Sequence, residues 1–299
     1  MNDAPLLVFE DVHKVFRSGG VLSARRVAAV DGISLHLKRD VGVFAIAGQS
    51  GSGKTTLARL LLRLERPSQG RILLDGQPLT GAGALGTMAF RRMVQPIFQN
   101  PFEAFSLHIP VDSYLFRTAI NLGVAAPGAA AERVVDTALR QVGMSRDRVA
   151  GKYVHQFSGG ELQRIAIARA LIPRPRLIVA DEPVSMLDAS LRMTIVNLFL
   201  EIRRASDVAF IYITHDLSTA YYLADQIAIM HRGRIIERGD PKQVLTAPAD
   251  AYTRSLIDAI PKIGERWPEL GDASCGWRPA GECEIGLSAR DPLDRGGNR

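Results

Sequence analysis

One stretch narrows the possible folds more than any other: VGVFAIAGQSGSGKTT at 41–56. It opens with an apolar run of strand length, continuous enough for a parallel strand buried on both faces. A glycine-rich loop follows, and then Leu57, Leu60, Leu61 and Leu64 fall at i, i+3, i+4 and i+7. That spacing predicts one apolar face of a helix, stopped by Pro67. Strand, loop and helix in this order open a βαβ unit, so the chain is α/β.

The loop GQSGSGKTT at 48–56 matches G-x-x-x-x-G-K-S/T through Gly48, Gly53, Lys54 and Thr55, in the strand-to-helix context the motif requires. Glycines let backbone wrap closely around phosphate, while turned N–H groups and the helix N-terminus supply positive potential. Lys54 is expected to reach the β- and γ-phosphates and Thr55 to ligate Mg²⁺. The expected nucleotide contacts in the loop are Gly48, Ser50, Gly51, Gly53, Lys54, Thr55 and Thr56. Kinases, GTPases and transport ATPases share such a loop, so the reaction stays open at this point.

Around the loop, 299 residues with 46% hydrophobic and 23% charged content suit a packed globular chain and argue against a disordered or collagen-like one. No apolar run approaches the roughly 20 residues that span a bilayer. MNDAPLLVFED carries no basic leader, so no secretory signal is read and cytosolic synthesis is expected. Cys275 and Cys283 are the only cysteines, too few for a disulfide scaffold or a four-thiolate site, and reduced thiols are expected. The formal charge of +6 is spread over short pairs such as Arg91-Arg92 and Arg203-Arg204, which read as solvated surface.

Further β-type runs are LLVFE and GISLHL before the loop, GRILLDG at 70–76 as a hairpin, and VQPIFQ at 94–99. From about 100 to 160 they give way to helical spacing at Val135, Ala138, Leu139 and Val142, with Gly143 closing that helix. LIVA (177–180), FIYIT (210–214), IAIM (227–230) and RIIE (234–237) then alternate with helical patterns at 189–204 and 217–224, as in a doubly wound sheet. After Pro261 the chain turns rich in Gly, Pro and charge, and a poorly ordered or partner-dependent tail is expected.

LIVADE at 177–182 is an apolar strand ending in two carboxylates. At the carboxyl edge of a parallel sheet, Asp181 suits Mg²⁺ and Glu182 suits orienting and deprotonating a water. Taken alone such a pair also reads as a solvated turn or N-cap; beside the phosphate loop the functional reading is favoured. In FSGGELQR at 157–164, Ser158, Gly159 and Gly160 form a second backbone-exposing turn, with Leu162, Ile165 and Ala166 beginning an amphipathic helix. Its N-terminus is either an ordinary Ser158 cap or a second phosphate cradle, and two cradles make sense if each serves another subunit's nucleotide.

These segments together resemble the ATP-binding subunits of ABC transporters. GQSGSGKTT is similar to the Walker A loop, SGGELQR to the signature, LIVADEP to Walker B, VSMLDAS with Asp188 to the D-loop, IFQNP with Gln99 to the Q-loop, and YITHD with His215 to the switch histidine. All occur in family order over residues 6–261. The resemblance implies a P-loop NTPase with a RecA-like core, an antiparallel β subdomain and an α-helical subdomain inserted at about 100–160, followed by a tail at 262–299. It implies two subunits sandwiching two ATP molecules, each held by Lys54 and Thr55 of one chain and Ser158 to Gly160 of the other. Glu182 is then the general base, Gln99 touches Mg²⁺ or the attacking water, and His215 holds the γ-phosphate; a lone histidine there also reads as structural. Phe16 in HKVFRSG is similar to the aromatic that stacks on adenine, with an ordinary core aromatic as its other reading.

A single ATP-binding unit without membrane segments resembles bacterial importers, and FSGGELQRIAIARAL, IYITHDLSTAYYLAD and DAYTRSLIDAIP are similar to the peptide/nickel class, nearest its second ATPase subunit. The resemblance implies a peripheral protein on the cytoplasmic face of the inner membrane, two permease subunits, a second ATPase with a heterodimer favoured over a homodimer, and an external solute-binding protein. Some relatives in the class import oligosaccharides. NPFEAFSLHIP after Gln99 departs from the common N-P-x-x-S-L-N-P, and two cysteines cannot hold the iron–sulfur cluster some members carry. The other readings are a soluble ABC ATPase acting on ribosomes or nucleic acid, a non-hydrolysing regulatory module and an unrelated P-loop kinase. No concentrated basic stripe marks a nucleic-acid face, and the retained Glu182 and His215 argue against the regulatory module.

Overall fold

The structure, a computed structural model, describes residues 5–18, 25–102 and 104–259. The expected tail at 262–299, with Cys275 and Cys283, lies outside the described residues. In chain order the first elements are β1 (Leu7–Ser18), β2 (Arg25–Leu37), β3 (Val43–Ala47), α1 (Lys54–Leu61), β4 (Gln69–Leu74), β5 (Gln77–Pro78), α2 (Thr87–Met93) and β6 (Val94–Ile97). Four helices follow, α3 (Val111–Asn121), α4 (Ala129–Gln141), α5 (Arg146–Val149) and α6 (Gly159–Leu171). The remainder alternates: β7 (Leu177–Asp181), α7 (Ala189–Ala205), β8 (Ala209–Thr214), α8 (Leu217–Leu223), β9 (Gln226–His231), β10 (Arg234–Gly239), α9 (Pro241–Thr246) and α10 (Ala251–Asp258).

Two sheets result. One is antiparallel in the order β2-β1-β4-β5, with Asp75 and Gly76 turning the β4–β5 hairpin. The other runs β10-β9-β3-β8-β7-β6, parallel except for the edge strand β10. Period-2 alternation divides the second sheet into two faces. Phe44, Ile46, Ile211 and Ile213 point to a cluster shared with α1 and the antiparallel sheet. Phe210 and Tyr212 point the other way, into a cluster with α7 and the inserted helices. Because β3 and β8 are covered on both sides, every residue of each is buried, which explains their unbroken apolar sequence.

Two expectations need correction. The first helix does not carry its apolar face to Leu64, which is 61% exposed. It ends at Leu61, and Arg63 adopts φ +56°, so the amide of Leu64 turns back to the carbonyl of Arg59. The Arg63 guanidinium then sits 4.0 Å from the Phe90 ring centroid and donates to the Leu85 carbonyl. Helix α6 is also not amphipathic in the expected way. Leu162, Gln163, Ile165, Ile167, Ala168, Ala170 and Leu171 are all buried, because the helix packs against α3, α4, α7 and β6 at once.

Phe199 on α7 is fully buried, with its ring 5.5 Å from Phe210 and 6.1 Å from Tyr212, both edge-on. Phe199→Ala leaves a cavity under β8, and its expected cost is about 3–5 kcal/mol. Urea denaturation followed by circular dichroism checks this; a loss under 1 kcal/mol contradicts the packing described.

Candidate functional site

The phosphate loop runs from the end of β3 to α1, and its glycines answer steric demands. Gly53 has φ +106°, and a Cβ there would meet the Ala29 carbonyl oxygen at 2.1 Å. At Gly48 a Cβ would meet the Met230 carbonyl oxygen at 2.2 Å. Strands β2 and β9 therefore press directly on the loop, and the Gly233 amide donates to the Ser52 carbonyl at 2.9 Å. Ser50 and Gly51 form the exposed rim, and Thr56 is half-buried on the first turn of α1.

Lys54 is 5% exposed, and its ammonium donates to the carbonyls of Gly48 at 2.7 Å and Gln49 at 2.8 Å. Burial lowers its pKa, against the opposing pull of Glu182 and Asp181. A desolvated ammonium thus sits in the concavity of a loop rich in backbone donors, facing two carboxylates.

Sheet register brings the remaining groups together. Ile97 pairs with Ala180, Ala180 with Tyr212, Asp181 with Ile213, and Ile213 with Ile46. The strands thus end in line, and the next residues out are Gln99, Asp181 with Glu182, His215 and the loop itself. The Gln99 amide nitrogen donates to Glu182 Oε2 at 3.2 Å, and His215 Nδ1 lies 3.1 Å from Glu182 Oε1. The Glu182 side chain is 19% exposed and that of His215 58%. Glu182 has φ +48°, and its amide donates to the Ile213 carbonyl. A non-glycine residue in the left-handed region is strained, and here the strain aims the carboxylate across the strand ends.

Burial raises the Asp181 pKa, while a hydrogen bond from the Thr55 hydroxyl works in the other direction. Asp181 Oδ1 remains buried with no hydrogen-bond partner among the described residues. An unpartnered carboxylate oxygen beside a threonine hydroxyl is the oxygen donor set a hard divalent cation takes, so Thr55 and Asp181 fit Mg²⁺, with Gln99 reaching the same strand ends through Glu182.

The signature turn stands apart from this group: among the described residues no hydrogen bond or ion pair links 158–160 to the phosphate loop. Ser158 caps α6 in a reciprocal box, its Oγ accepting from the Glu161 amide at 3.2 Å and its amide donating to Glu161 Oε2 at 2.9 Å. The Ser158 amide, then Arg148, hold the Glu161 pKa below its ordinary value in spite of burial. The Ser158 hydroxyl also donates to the Glu161 carboxylate, a further contact that lowers the Glu161 pKa. Within the chain the segment is a helix cap, with the amides of Gly159 and Gly160 at the start of α6. Asp188 is exposed and caps α7, accepting from the Leu191 amide and the Ser190 hydroxyl, which lower its pKa. Phe16, half-buried on β1, belongs to none of the buried clusters and has the Lys14 ammonium 4.9 Å from its ring centroid.

Asp216 was not singled out from the sequence. It caps α8 through the amides of Ser218 and Thr219 and pairs with Arg192 on α7 at 3.2 Å, fixing the turn that carries His215. The visible signal was an aspartate directly before the helical pattern at 217.

The chain resembles known proteins in sequence and in fold. The family model for ABC transporters matches residues 30–185. The oligopeptide transport ATP-binding protein OppF of Streptococcus mutans is 34% identical over 261 residues, covering 87% of this chain and 83% of that protein. The dipeptide transport ATP-binding protein DppF of Escherichia coli is 34% identical over 261 residues, covering 87% of this chain and 77% of its own length. Among solved structures, CbiO1 of Clostridium perfringens, part of the ABC transporter complex CbiONQ, aligns with a TM-score of 0.68 at 29% identity, over 81% of this chain and 91% of that one.

The raised Asp181 pKa has a consequence for stability. A carboxyl that holds its proton more tightly folded than unfolded disfavours folding increasingly as pH rises above the ordinary carboxylate range. Asp181→Asn is therefore expected to raise the nucleotide-free Tm at pH 7 by a few degrees and to abolish Mg²⁺-dependent ATP turnover. Differential scanning calorimetry at pH 7 and a phosphate-release assay check the two halves; a lower Tm contradicts a burial cost at Asp181 that outweighs its contacts with Thr55 and Lys54.

Proposed function

The chain belongs to the ABC transporter family of ATP-binding proteins, and from that premise we propose that it is the ATP-hydrolysing subunit of a bacterial importer for peptides. The observation that carries the catalytic part is the meeting of Gln99, Glu182 and His215 across the ends of three strands, beside the Lys54 loop. The peptide assignment is supported by the oligopeptide and dipeptide transport relatives, each aligned over 87% of this chain.

In this reading the loop amides and Lys54 bind the phosphates of ATP, Phe16 stacks on the base, and Glu182 takes a proton from the attacking water. Gln99 and His215 hold the Glu182 carboxylate in place from either side, and His215, largely exposed, is free to reach the γ-phosphate. Thr55, Asp181 and Gln99 would hold Mg²⁺, which when bound neutralises phosphate charge. Ser158 to Gly160 and Asp188 act on the nucleotide of a second ATP-binding subunit. A similar but distinct chain is the favoured second subunit, and a second copy of this one is the other form.

Coupling to two membrane permeases runs through β6. A groove of about 910 Å³ beside that strand is lined by Arg63, Arg66, Arg91, Arg117 and Arg169, with no carboxylate in its lining among the described residues. Phe98, 45% exposed, lines it, and the next residue is Gln99, bonded to Glu182. A permease segment seated there is one peptide bond from the catalytic carboxylate's partner. No helix among the described residues is long and apolar enough to cross a membrane, so attachment is peripheral, through the permeases on the cytoplasmic face, with a solute-binding protein delivering peptide from outside.

Two experiments test this. Glu182→Gln is expected to lower turnover about 10²- to 10⁴-fold while retaining ATP and accumulating an ATP-dependent dimer on gel filtration; wild-type turnover removes the base assignment. The tagged chain should copurify from detergent-solubilised membranes with two permeases and a second ATPase, and Arg91→Glu with Arg117→Glu should lose the permeases. Recovery of ribosomes or nucleic acid without permease would overturn the importer.

A further inference from the structure

Two polar contacts meet on a single peptide group of the phosphate loop. The Gly48–Gln49 peptide offers its carbonyl to the Lys54 ammonium at 2.7 Å and its N–H to the Tyr252 hydroxyl at 3.4 Å. Tyr252 lies on α10, 203 positions after Gln49. Its ring rests against His231 at the end of β9, with centroids 3.8 Å apart and planes inclined by 34°. Glu237 on β10 fixes the start of this helix, its two carboxylate oxygens accepting from the amides of Ala249 at 2.8 Å and Asp250 at 3.2 Å. Asp250 in turn accepts from the Tyr252 amide at 2.7 Å. The hydroxyl is therefore carried on an anchored helix, and its ring is seated on the strand whose Met230 carbonyl presses on Gly48.

We propose that Tyr252 is a positioning residue for nucleotide binding, holding the Gly48–Gln49 peptide in the orientation that presents Lys54 to phosphate and tying that orientation to helix α10. Hydroxyl, peptide and ammonium form one hydrogen-bonded chain in which each contact polarises the next. When Lys54 turns from the Gly48 carbonyl to a phosphate, the peptide loses its contact on one side. Gly48 has no Cβ to restrict rotation, so the Tyr252 hydroxyl is then the contact that keeps this peptide from turning. The inference rests on ATP as the ligand of the loop.

Tyr252→Phe keeps the ring on His231 and removes only the hydroxyl, so it separates positioning from anchoring of the helix. On the full chain, the expected result is a rise of about three- to tenfold in KM and in equilibrium Kd for ATP, the effect of one neutral hydrogen bond. The kcat stays within twofold and the nucleotide-free Tm is unchanged, the pattern of lost uniform binding. Tyr252→Ala, which also loses the ring contact, should raise KM further. Unchanged KM and Kd in Tyr252→Phe overturn the positioning role, whatever happens to Tm. Lys54→Ala run in parallel reads the ligand separately: if the intact chain binds no ATP, or if Lys54→Ala binds it as well as the intact chain, the ligand assignment falls and this role with it.

Discussion

A buried ammonium surrounded by its own loop's carbonyls sets the terms for the rest of the structure. Lys54 is desolvated, which is costly for a charged group unless it is paired. The two backbone carbonyls of Gly48 and Gln49 and the facing carboxylates of Asp181 and Glu182 meet that cost. Those carboxylates are themselves partly withdrawn from water, so each charge stabilises the other. The loop can hold this arrangement only because Gly48 and Gly53 admit the backbone of β9 and β2 at distances no side chain would tolerate. Sheet packing, glycine placement and site electrostatics are thus one constraint seen at three scales.

The same dependence explains why the strands beneath the site are so uniformly buried. Gln99, Glu182 and His215 come from different parts of the chain and meet only if β6, β7 and β8 end in register. A one-residue slip in any of these strands would turn its side chains to the opposite face and carry its terminal residue out of the group. Aromatic contacts of Phe199 with Phe210 and Tyr212 clamp β8 from the α7 side, while Ile211 and Ile213 are clamped from the α1 side. Rigidity at the sheet is what lets a strained Glu182 backbone persist.

Much of this was legible in the sequence where a short segment carries its own physical signature. The loop motif, the buried strands and the helix starts at Ser158 and 189 follow from residue type and period alone. What stayed hidden depends on tertiary contact. Leu64 continues the helical spacing, yet Arg63 turns left-handed to place its guanidinium on Phe90, and the helix stops before Leu64 can be buried. Gln163 and Ile167 fall outside a simple apolar stripe and are buried because α6 is enclosed by three other helices and a strand. The Gln99–Glu182 contact joins residues 83 positions apart, which only strand order brings together. Asp216 was passed over for the opposite reason, since a helix cap is so ordinary that its second role, pairing with Arg192 under the His215 turn, leaves no separate mark.

The signature turn shows how far a folded single chain can account for its own sequence. Ser158 and Glu161 satisfy each other, and Arg148 satisfies Glu161. Capping explains the serine and the glutamate. A Cβ on Gly159 would meet side chains no closer than 3.5 Å, and one on Gly160 no closer than 3.4 Å. Neither internal sterics nor capping requires glycine at either position. A backbone left bare at the start of a thirteen-residue helix makes sense when something outside the chain must approach closely. In the proposed pairing, a second subunit's phosphate has the size and charge for it.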